Sequence, residues 1–566
     1  MSAHPFLLFL LASFSILLLN PILGFTKTLY VNSAASLRSA LAQAQAGDEI
    51  IVANGTYTGS FSIATNAGTT ASPILLRAEQ RHKAIIQGNG NLSDTKNQGF
   101  VVKKSHWIID GFVLKDHWNP ITISKSGTTS IEIRHNILHD FGANGIDLDS
   151  TSDHSIHHNV VAFSPSVPGS GSYAGIMIRK NSLNNVIENN IVYSITNDGH
   201  QCGDAGGCEV GAKRGYAILV HASSNNTLRG NLVMDAAKGT VRIMQTPKDA
   251  YPANYNRIED NIAAFSEGGG FGVSDVGASY NVVLNNLVYG TYYSAWSAKG
   301  NAPGYNIFQH NTVIVTPFSR LGAMLNRNDL REPSRHTTVK DNLFYSDDPN
   351  GNSQYLWRVD NWQEAIKESD YNLFWRPGSQ STWNKGVVSG SRDIQQQPSF
   401  IDKANGDFTL APNSPGKEKA SDGKDIGASF NAYLRKTWMR NILALPTQQK
   451  TVTGKSLSFS TSSAHQYQVY VYIPDTTSFR GIETFSIEGR PIQRDYKNII
   501  VRGWVGKAPQ RWIYLGTHAN DGTLDINWTQ TDAANTIFIR QLPTPLEAYG
   551  WISSKGADAS LSVPAN

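Results

Sequence analysis

Hydrophobic and polar residues recur along the middle of the chain in one short pattern. An apolar residue is followed by two variable positions, an asparagine and two more apolar positions, as in IRHNIL and VLNNLV. The asparagines of this ladder are Asn136, Asn159, Asn190, Asn231, Asn261, Asn286, Asn311 and Asn342. They are 23 to 41 residues apart, which is typical of solenoid coils that carry loops of different lengths. The pattern predicts an all-β fold, a right-handed parallel β-helix.

Each coil contains a second short strand with alternating apolar residues. These segments are GIDLDS from Gly145, GIMIRK from Gly175, YAILVHA from Tyr216, GTVRIMQ from Gly239 and GFGVSD from Gly270. Alternation sends every second side chain into the core and the others outward. The ladder asparagines suit tight turns, where stacked amides can bond one coil to the next. We therefore assign the asparagines a structural role and look for chemistry on the outward positions of the second strands.

The boundaries of the repeats predict a β-helix over residues 25–430. Residues 36–57 read as a short amphipathic helix, a strand and a turn, and the helix would cap the open end of the solenoid. Residues 397–428, rich in Pro, Gly and Asp, close the regular pattern.

A different pattern follows the repeats. Residues 431–452 are expected to form a linker, and residues 453–566 contain strand-like runs that predict an antiparallel β-sandwich. Its aromatic residues offer either a sugar-stacking platform or core packing, of which packing is favoured. The residues concerned are Trp504, Trp512, Tyr514 and Trp528.

The first residues predict export. The apolar run Phe6–Leu19 is too short to span a bilayer and precedes small residues, so residues 1–24 read as a signal peptide. We expect a secreted or periplasmic protein, a monomer without membrane insertion. The 49 glycines favour a turn-rich β architecture, and a net charge of only +4 gives no reason to expect nucleic acid as a partner.

Two cysteines lie close together in the chain. Cys202 and Cys208 are the only ones, and in an exported protein this spacing predicts a disulfide that closes a small loop. The loop belongs to the insertion 197–215, which also contains His200, Lys213 and Arg214. We expect this insertion to form a wall or lid beside a groove and to contribute to substrate binding, although a plain surface loop is the alternative.

The amino-terminal stretches GDEIIVANGTYTG and TTASPILLRAEQRHKAIIQGNG resemble the opening of polysaccharide lyase family 6, which contains alginate lyases and chondroitinase B. The resemblance extends loosely over residues 30–430. It implies a parallel β-helix that breaks a uronate-containing polymer by β-elimination, with a Lys base, an Arg and often calcium. The segment IRKNSLNNVIENN is similar to the family segment that carries the base, which implies this role for Lys180. Tyr173 and Gly175 stand where the family has its calcium carboxylates.

β-Elimination needs a neutralised carboxylate, a base for the C5 proton and an acid for the departing oxygen. Counting back from the ladder asparagines aligns Asp149, Lys180 and His221 on successive coils. Aligning the strands instead aligns Asp149, Arg179 and His221. Arg242 would extend this basic strip. The alternative is a solvated polar face on which Asp149 pairs with a neighbouring cation.

Other residues near the strip have weaker assignments. Tyr216 is a candidate for substrate binding and, with Tyr173, for proton donation. A calcium site is possible from oxygen ligands, with Asp147, Asp149 and Asp198 as the first set and Asp204 and Glu209 as another.

The sequence favours a lyase that acts on an acidic polysaccharide, with alginate as the first choice. A glycoside hydrolase that uses Asp147 and Asp149, a uronate epimerase, and a non-enzymatic glycan-binding protein remain alternatives.

Overall fold

The structure of the chain is a computed structural model. It describes residues 26–165, 172–195, 214–246, 248–275, 278–292, 296–299, 304–319, 321–326, 337–346, 355–360, 366–377, 384–385, 389–429, 433–473, 482–495, 511–528 and 535–553. Residues 1–24, predicted as a signal peptide, lie outside these ranges. Within the described ranges, no helix has both the length and the apolar character needed to cross a membrane.

Three long parallel sheets wind around one core, so the predicted parallel β-helix is confirmed. Sheet A contains Thr28–Val31, Glu49–Val52, Ile74–Ala78, Trp107–Asp110, Glu132–Arg134, Ser155–His157, Val186–Glu188, Thr227–Arg229, Arg257–Glu259, Val282–Leu284, Ile307–Gln309, Thr337–Lys340 and Ile366–Asp370. Sheet B contains Gly55–Thr58, Ala84–Gln87, Val113–Lys115, Ile137–His139, Val160–Ser164, Ile191–Ile195, Leu232–Ala236, Ile262–Ala264, Leu287–Tyr289, Thr312–Val315, Leu343–Ser346 and Leu373–Trp375. Sheet C contains Phe61–Ile63, Gln98–Val102, Asn119–Ile123, Ile146–Asp149, Ser172–Arg179, Arg214–His221, Gly239–Gln245, Phe271–Asp275, Trp296–Lys299, Leu321–Asn326, Tyr355–Asp360 and Asn384–Lys385.

The predicted asparagine ladder holds the turns between sheets A and B. The backbone N–H and the side-chain amide of Asn261 both donate to Oδ1 of Asn286, each at 3.0 Å. The ladder runs on past the predicted members to Asn372. A second ladder lies at the corner between sheets C and A and was not predicted. Its members are Asn185, Asn226, Asn256, Asn281 and Asn306.

The predicted capping helix is also present. Helix α1 (Ala34–Gln43) begins at a capping box formed by Ser33 and Ser36, and it buries Leu37 and Leu41 against the end of the solenoid. The strand that follows, Glu49–Val52, is the second of sheet A. The end of the solenoid is therefore covered, which prevents its strands from pairing with other chains.

The carboxy-terminal part contains the predicted antiparallel sandwich. Sheet D consists of Thr447–Val452, Asn535–Gln541, Tyr467–Ile473 and Arg511–His518, and sheet E of Ser456–Ser460, Thr523–Trp528, Ile482–Ile487 and Arg490–Asp495. The interval 431–452, expected to be a linker, contains helix α2 (Tyr433–Leu443) and the first strand of sheet D. A hairpin of Phe400–Asp402 and Asp407–Leu410 encloses the 3-10 turn Lys403–Asn405, and helix α3 (Pro545–Ser553) ends the described chain.

A second hydrophobic core joins the two parts. It packs the outward side chains of sheet B, among them Tyr193 and Met234, against Trp438 of α2 and Tyr549 of α3. Strands buried on both faces are expected to be almost continuously apolar, and sheet B shows this in segments such as IVYSI. The carboxy-terminal part therefore covers sheet B, and the outer face of sheet C lies on another side of the solenoid.

Candidate functional site

The predicted strip lies on the outer face of sheet C. Asp149, Arg179 and His221 end three successive strands and stand side by side in the pairing of those strands. Neighbouring strands lie about 4.8 Å apart, so these side chains are direct neighbours. The register obtained by aligning the strands is therefore confirmed.

Lys180 lies just beyond the strand, in the turn that follows Arg179. Its backbone is left-handed, with φ of 55°, and its side chain is 60% exposed. Nζ still reaches Oδ2 of Asp149 at 2.9 Å. Lys180 thus contacts the strip from its edge, and the count from the ladder asparagines misplaced it by one residue because the turn between ladder and strand varies in length.

Arg179 is held by two carboxylates of the preceding coil. Its Nε and Nη2 donate to the two oxygens of Asp147 at 2.9 and 2.8 Å, and Nη2 lies 3.0 Å from Asp149. Burial would lower the pKa of Arg179, but the charge and hydrogen bonds of Asp147 outweigh it and raise the pKa. Asp147 is only 1% exposed and also accepts from the amide of Asn119. The Arg179 guanidinium is therefore permanently charged and fixed in place.

The strip carries less positive charge than predicted. Burial would raise the pKa of Asp149, but the hydrogen bond from Lys180 and the charge of Arg179 lower it below its usual value. Asp147 and Asp149 thus balance the charges of Arg179 and Lys180. The predicted alternative, in which Asp149 pairs with a neighbouring cation, describes this part of the strip correctly.

His221 has a carboxylate partner on a different segment. Its Nε2 lies 2.8 Å from Oδ2 of Asp249, which also accepts from the backbone N–H and the hydroxyl of Thr246. Burial would raise the pKa of Asp249, but these Thr246 hydrogen bonds and His221 lower it. With Nε2 donating to an ionised carboxylate, Nδ1 of a neutral His221 carries the lone pair. No described residue bonds to Nδ1, and the ring is 30% exposed. This arrangement suits a general base.

Arg242 lies in a neighbouring outward row, because it pairs with Leu219 while Met244 stands beside His221. Its guanidinium extends over the next strand, where a side-chain carbon on Gly272 would lie 2.3 Å from Nη1. Gly272 therefore makes room for Arg242. The prediction that Arg242 stands in line with His221 is therefore wrong by one row.

Tyr216 is 4% exposed and packs with Ala174, Met177 and Leu219. The ring also lies 4.9 Å from Nζ of Lys238. The structure thus places Tyr216 in an apolar cluster on the sheet.

Tyr173 lies close enough to Arg179 for their charges to interact. Burial raises the pKa of Tyr173, against the effect of Arg179, so the hydroxyl is protonated at neutral pH. Its ring meets the ring of Trp118 edge to face, with centroids 5.5 Å apart. Tyr173 and Trp118 thus form one border of the strip.

Two of the carboxylates predicted to bind calcium, Asp147 and Asp149, are already engaged by side-chain cations. Both oxygens of Asp147 accept from Arg179, and Asp149 contacts both Arg179 and Lys180. A divalent cation there would have to displace two side-chain cations. No group of three or more potential metal ligands occurs among the described residues. Asp198, Asp204 and Glu209 lie outside them.

Other predicted residues also lie outside the described ranges. They are His200, Lys213 and the disulfide pair Cys202 and Cys208. Arg214 begins a strand of sheet C, but only its backbone belongs to the described part.

The model of the family "Chondroitinase B" matches residues 31–269. The chain resembles chondroitinase B. The match spans the capping helix, the strip and Asp249, and it confirms the resemblance predicted from the sequence. A search of curated proteins finds no match.

Solved structures give weaker likenesses. An alginate lyase from Paenibacillus sp. str. FPU-7 is 17% identical to this protein, with a TM-score of 0.37. The aligned region covers 54% of this chain and 97% of the alginate lyase. A PL6 family polysaccharide lyase from Pseudopedobacter saltans is 14% identical, with a TM-score of 0.38. The aligned region covers 71% of this chain and 99% of that lyase. The A-module of a mannuronan C-5 epimerase from Azotobacter vinelandii is 13% identical, with a TM-score of 0.43. The aligned region covers 65% of this chain and 96% of that module. We draw the relationship from the family model alone.

Four residues of the site were not predicted from the sequence: Asp249, Asn119, Trp118 and Gly272. Asp249 is 28 residues from His221, and a single aspartate in a loop carries no local signal of its partner. Gly272 did have a signal, since a glycine inside a strand often marks a close approach by another group.

Proposed function

We propose that this protein is a polysaccharide lyase that cleaves a uronate-containing polymer by β-elimination on the outer face of sheet C. The observation that carries the proposal is the His221–Asp249 pair, at 2.8 Å, directly beside the fixed guanidinium of Arg179. A base next to a permanent cation is what removal of a proton beside a carboxylate requires. The match to the chondroitinase B family supports the same reaction class.

In this proposal each residue of the strip has one task. The substrate carboxylate binds near Arg179 and Arg242, whose charges make the C5 proton more acidic. Nδ1 of His221 removes that proton, and Asp249 stabilises the resulting imidazolium. The electrons form the C4–C5 double bond as the C4–O bond breaks. Lys180 donates a proton to the departing oxygen.

The assignment of the base differs from the one that the family resemblance implies. Nζ of Lys180 donates a hydrogen bond to Asp149, so this ammonium group acts as a donor in the strip, whereas a base needs a free lone pair. The same ammonium is a suitable acid. We therefore assign the base to His221.

A hydrolase that uses Asp147 and Asp149 is disfavoured. Two carboxylates that flank a glycosidic bond must be accessible, whereas Asp147 is buried and held by Arg179 on both oxygens. An epimerase would share the removal of the C5 proton and differ in returning a proton to the other face of the sugar.

The finer proposals are that alginate is the polymer and that the protein is exported. Incubation with alginate, pectate and chondroitin sulfate tests the reaction. We expect new chain ends that carry the ultraviolet absorbance of an unsaturated uronide. New reducing ends without that absorbance would identify a hydrolase, and altered uronate stereochemistry without new ends would identify an epimerase.

The same incubation with a chelator tests the poor fit for calcium. We expect activity to survive removal of divalent cations, because Arg179 already supplies a fixed charge beside Asp147 and Asp149.

A further inference from the structure

Three tyrosines form a stacked row at the corner between sheets C and A. The rings of Tyr255 and Tyr280 are 5.1 Å apart between centroids and 12° from parallel, and those of Tyr280 and Tyr305 are 4.9 Å and 6°. All three are exposed, Tyr255 most at 57%. We call these residues the tyrosine row.

The tyrosine row is unusual in its backbone. Tyr255, Tyr280 and Tyr305 have φ of 58°, 59° and 58°, a left-handed conformation that costs a bulky residue about 1 kcal/mol or more. In the two preceding coils the same position is occupied by Asn184 and Asn225, with φ of 57° and 60°. Asparagine tolerates this conformation better, so the turn itself does not require tyrosine.

The row begins one coil beyond His221. The segment that contains Asp249, the partner of His221, continues directly into Tyr255. This segment is fastened to the His221 coil by three hydrogen bonds. The hydroxyl of Ser224 donates to the carbonyl of Pro252 and accepts from the N–H of Asn254, and the N–H of Asn225 donates to the carbonyl of Asn254. Tyr255 therefore has a fixed position relative to His221.

One face of the Tyr255 ring is turned toward the preceding coil, which contains His221. Tyr280 covers the other face, and on the side of the His221 coil the equivalent residue is the exposed Asn225. No described aromatic ring covers this second face. An aromatic face that is exposed and held rigid by stacking can bind the apolar face of a sugar ring at a small entropic cost.

We propose that Tyr255 forms a sugar-binding subsite of the polysaccharide substrate, next to the site of cleavage. The proposal rests on the proposed function for the identity of its ligand, a uronate polymer. Tyr280 stacks on the other face of the Tyr255 ring and holds it in position, and the substrate chain passes from His221 over the corner of the solenoid onto this ring.

Binding of alginate, pectate and chondroitin sulfate by affinity electrophoresis tests the subsite without relying on turnover. The variants are Tyr255→Asn, Tyr255→Phe and, as the matched control at the far end of the row, Tyr305→Asn. Asparagine keeps the left-handed turn, so thermal unfolding should show all three variants folded. For the polymer bound most tightly, we expect Tyr255→Asn to weaken binding roughly tenfold, and Tyr255→Phe and Tyr305→Asn to bind as the parent does.

Equal losses in Tyr255→Asn and Tyr305→Asn, no loss in either, or no binding of any of the three polymers by the parent would overturn the subsite. Failure of the proposed function gives a different result, since a parent that binds a polymer through Tyr255 without forming unsaturated ends has the subsite but is not a lyase.

Discussion

The outer faces of sheets B and C belong to the same coils but have opposite characters. The outward side chains of sheet B are mainly apolar and lie beneath the carboxy-terminal part. Those of sheet C include a row of ionisable groups that remain partly exposed, among them Arg179 and His221. Both faces are built on the same ladders and the same interior core. The repeats therefore fix the scaffold, and the outward positions decide which face becomes an interface and which becomes a site.

Even the charged residues follow this division. Asp235, near the end of an internal strand of sheet B, is fully buried and accepts hydrogen bonds from Gln468, Tyr514 and Thr517 of sheet D. Asp149 on sheet C meets Arg179 and Lys180 at the surface. The first carboxylate fastens two parts of the chain together, and the second sets the charge of a groove.

The largest expected effect is on stability at sheet B. Asp235→Ala leaves three buried donors without their acceptor, so we expect the free energy of unfolding to fall by about 3–5 kcal/mol. Denaturant unfolding measures this change. A loss below about 1 kcal/mol, the size expected for an exposed ion pair, would mean that the sandwich does not depend on this contact.

The second expected effect is a loss of folding stability in acid, caused by the buried His154. Burial lowers the pKa of His154 to about 3, while the unfolded chain has the ordinary value near 6.5. Between these values the unfolded state binds a proton that the folded state does not. Through His154 alone, stability should therefore fall as the pH drops below about 6.5, by about 1.4 kcal/mol per pH unit, until the pH nears the folded pKa.

His154 offers a matched variant for this test. Its Nδ1 accepts from the backbone N–H of Ile131, and the backbone N–H of His154 donates to Oδ1 of Asn185, so His154 stands at the head of the second asparagine ladder. His154→Asn should keep the ladder and remove one proton-binding group. We expect the variant to lose about 2 kcal/mol less than the parent between pH 7 and pH 5. Identical losses in both proteins would place the acid sensitivity elsewhere.

At sheet C the expected effect of Arg242→Gln is on substrate binding. Loss of one cation near the substrate carboxylate should raise KM about tenfold at low salt and less at high salt, with little change in stability. Arg257→Gln on sheet A, where Arg257 pairs with Glu259, is the control and should leave KM unchanged. A similar rise of KM in both variants would point to general attraction by surface charge.

The smallest expected effect is that of Lys180→Ala on stability. The side chain is 60% exposed, so the free energy of unfolding should change by no more than about 1 kcal/mol. A loss as large as that of Asp235→Ala would remove the distinction between the two faces.

The sequence predicted the solenoid because its signals are local. The asparagine ladder and the alternating strands each involve residues close together in one coil, and coils then stack by repetition. The register of Arg179 and Lys180 stayed open because the ladder asparagines and the sheet C strands are separated by turns of variable length. The strand ends at Arg179, and only the pairing with Asp149 and His221 shows this.

Contacts between distant segments were beyond prediction. Asp249 reaches His221 across a loop, and Asp235 meets Tyr514 from a part of the chain 279 residues away. Tyr514 and Trp528 proved to be buried, as the packing alternative predicted for the sandwich aromatics. The burial of sheet B could have been predicted from its almost continuously apolar strands, because such strands are buried on both faces. Alternating strands, on which the prediction relied, do not reveal this burial.

The most direct test of the account compares two histidine–aspartate pairs. His221 pairs with Asp249 on sheet C, and His139 pairs with Asp140 on sheet B, with imidazoles 30% and 21% exposed. The formation of unsaturated uronide is measured for the parent, His221→Ala and His139→Ala on the polymer that the parent cleaves. The account predicts that turnover falls by about two orders of magnitude or more in His221→Ala and is retained in His139→Ala. Near-normal turnover in His221→Ala would contradict it.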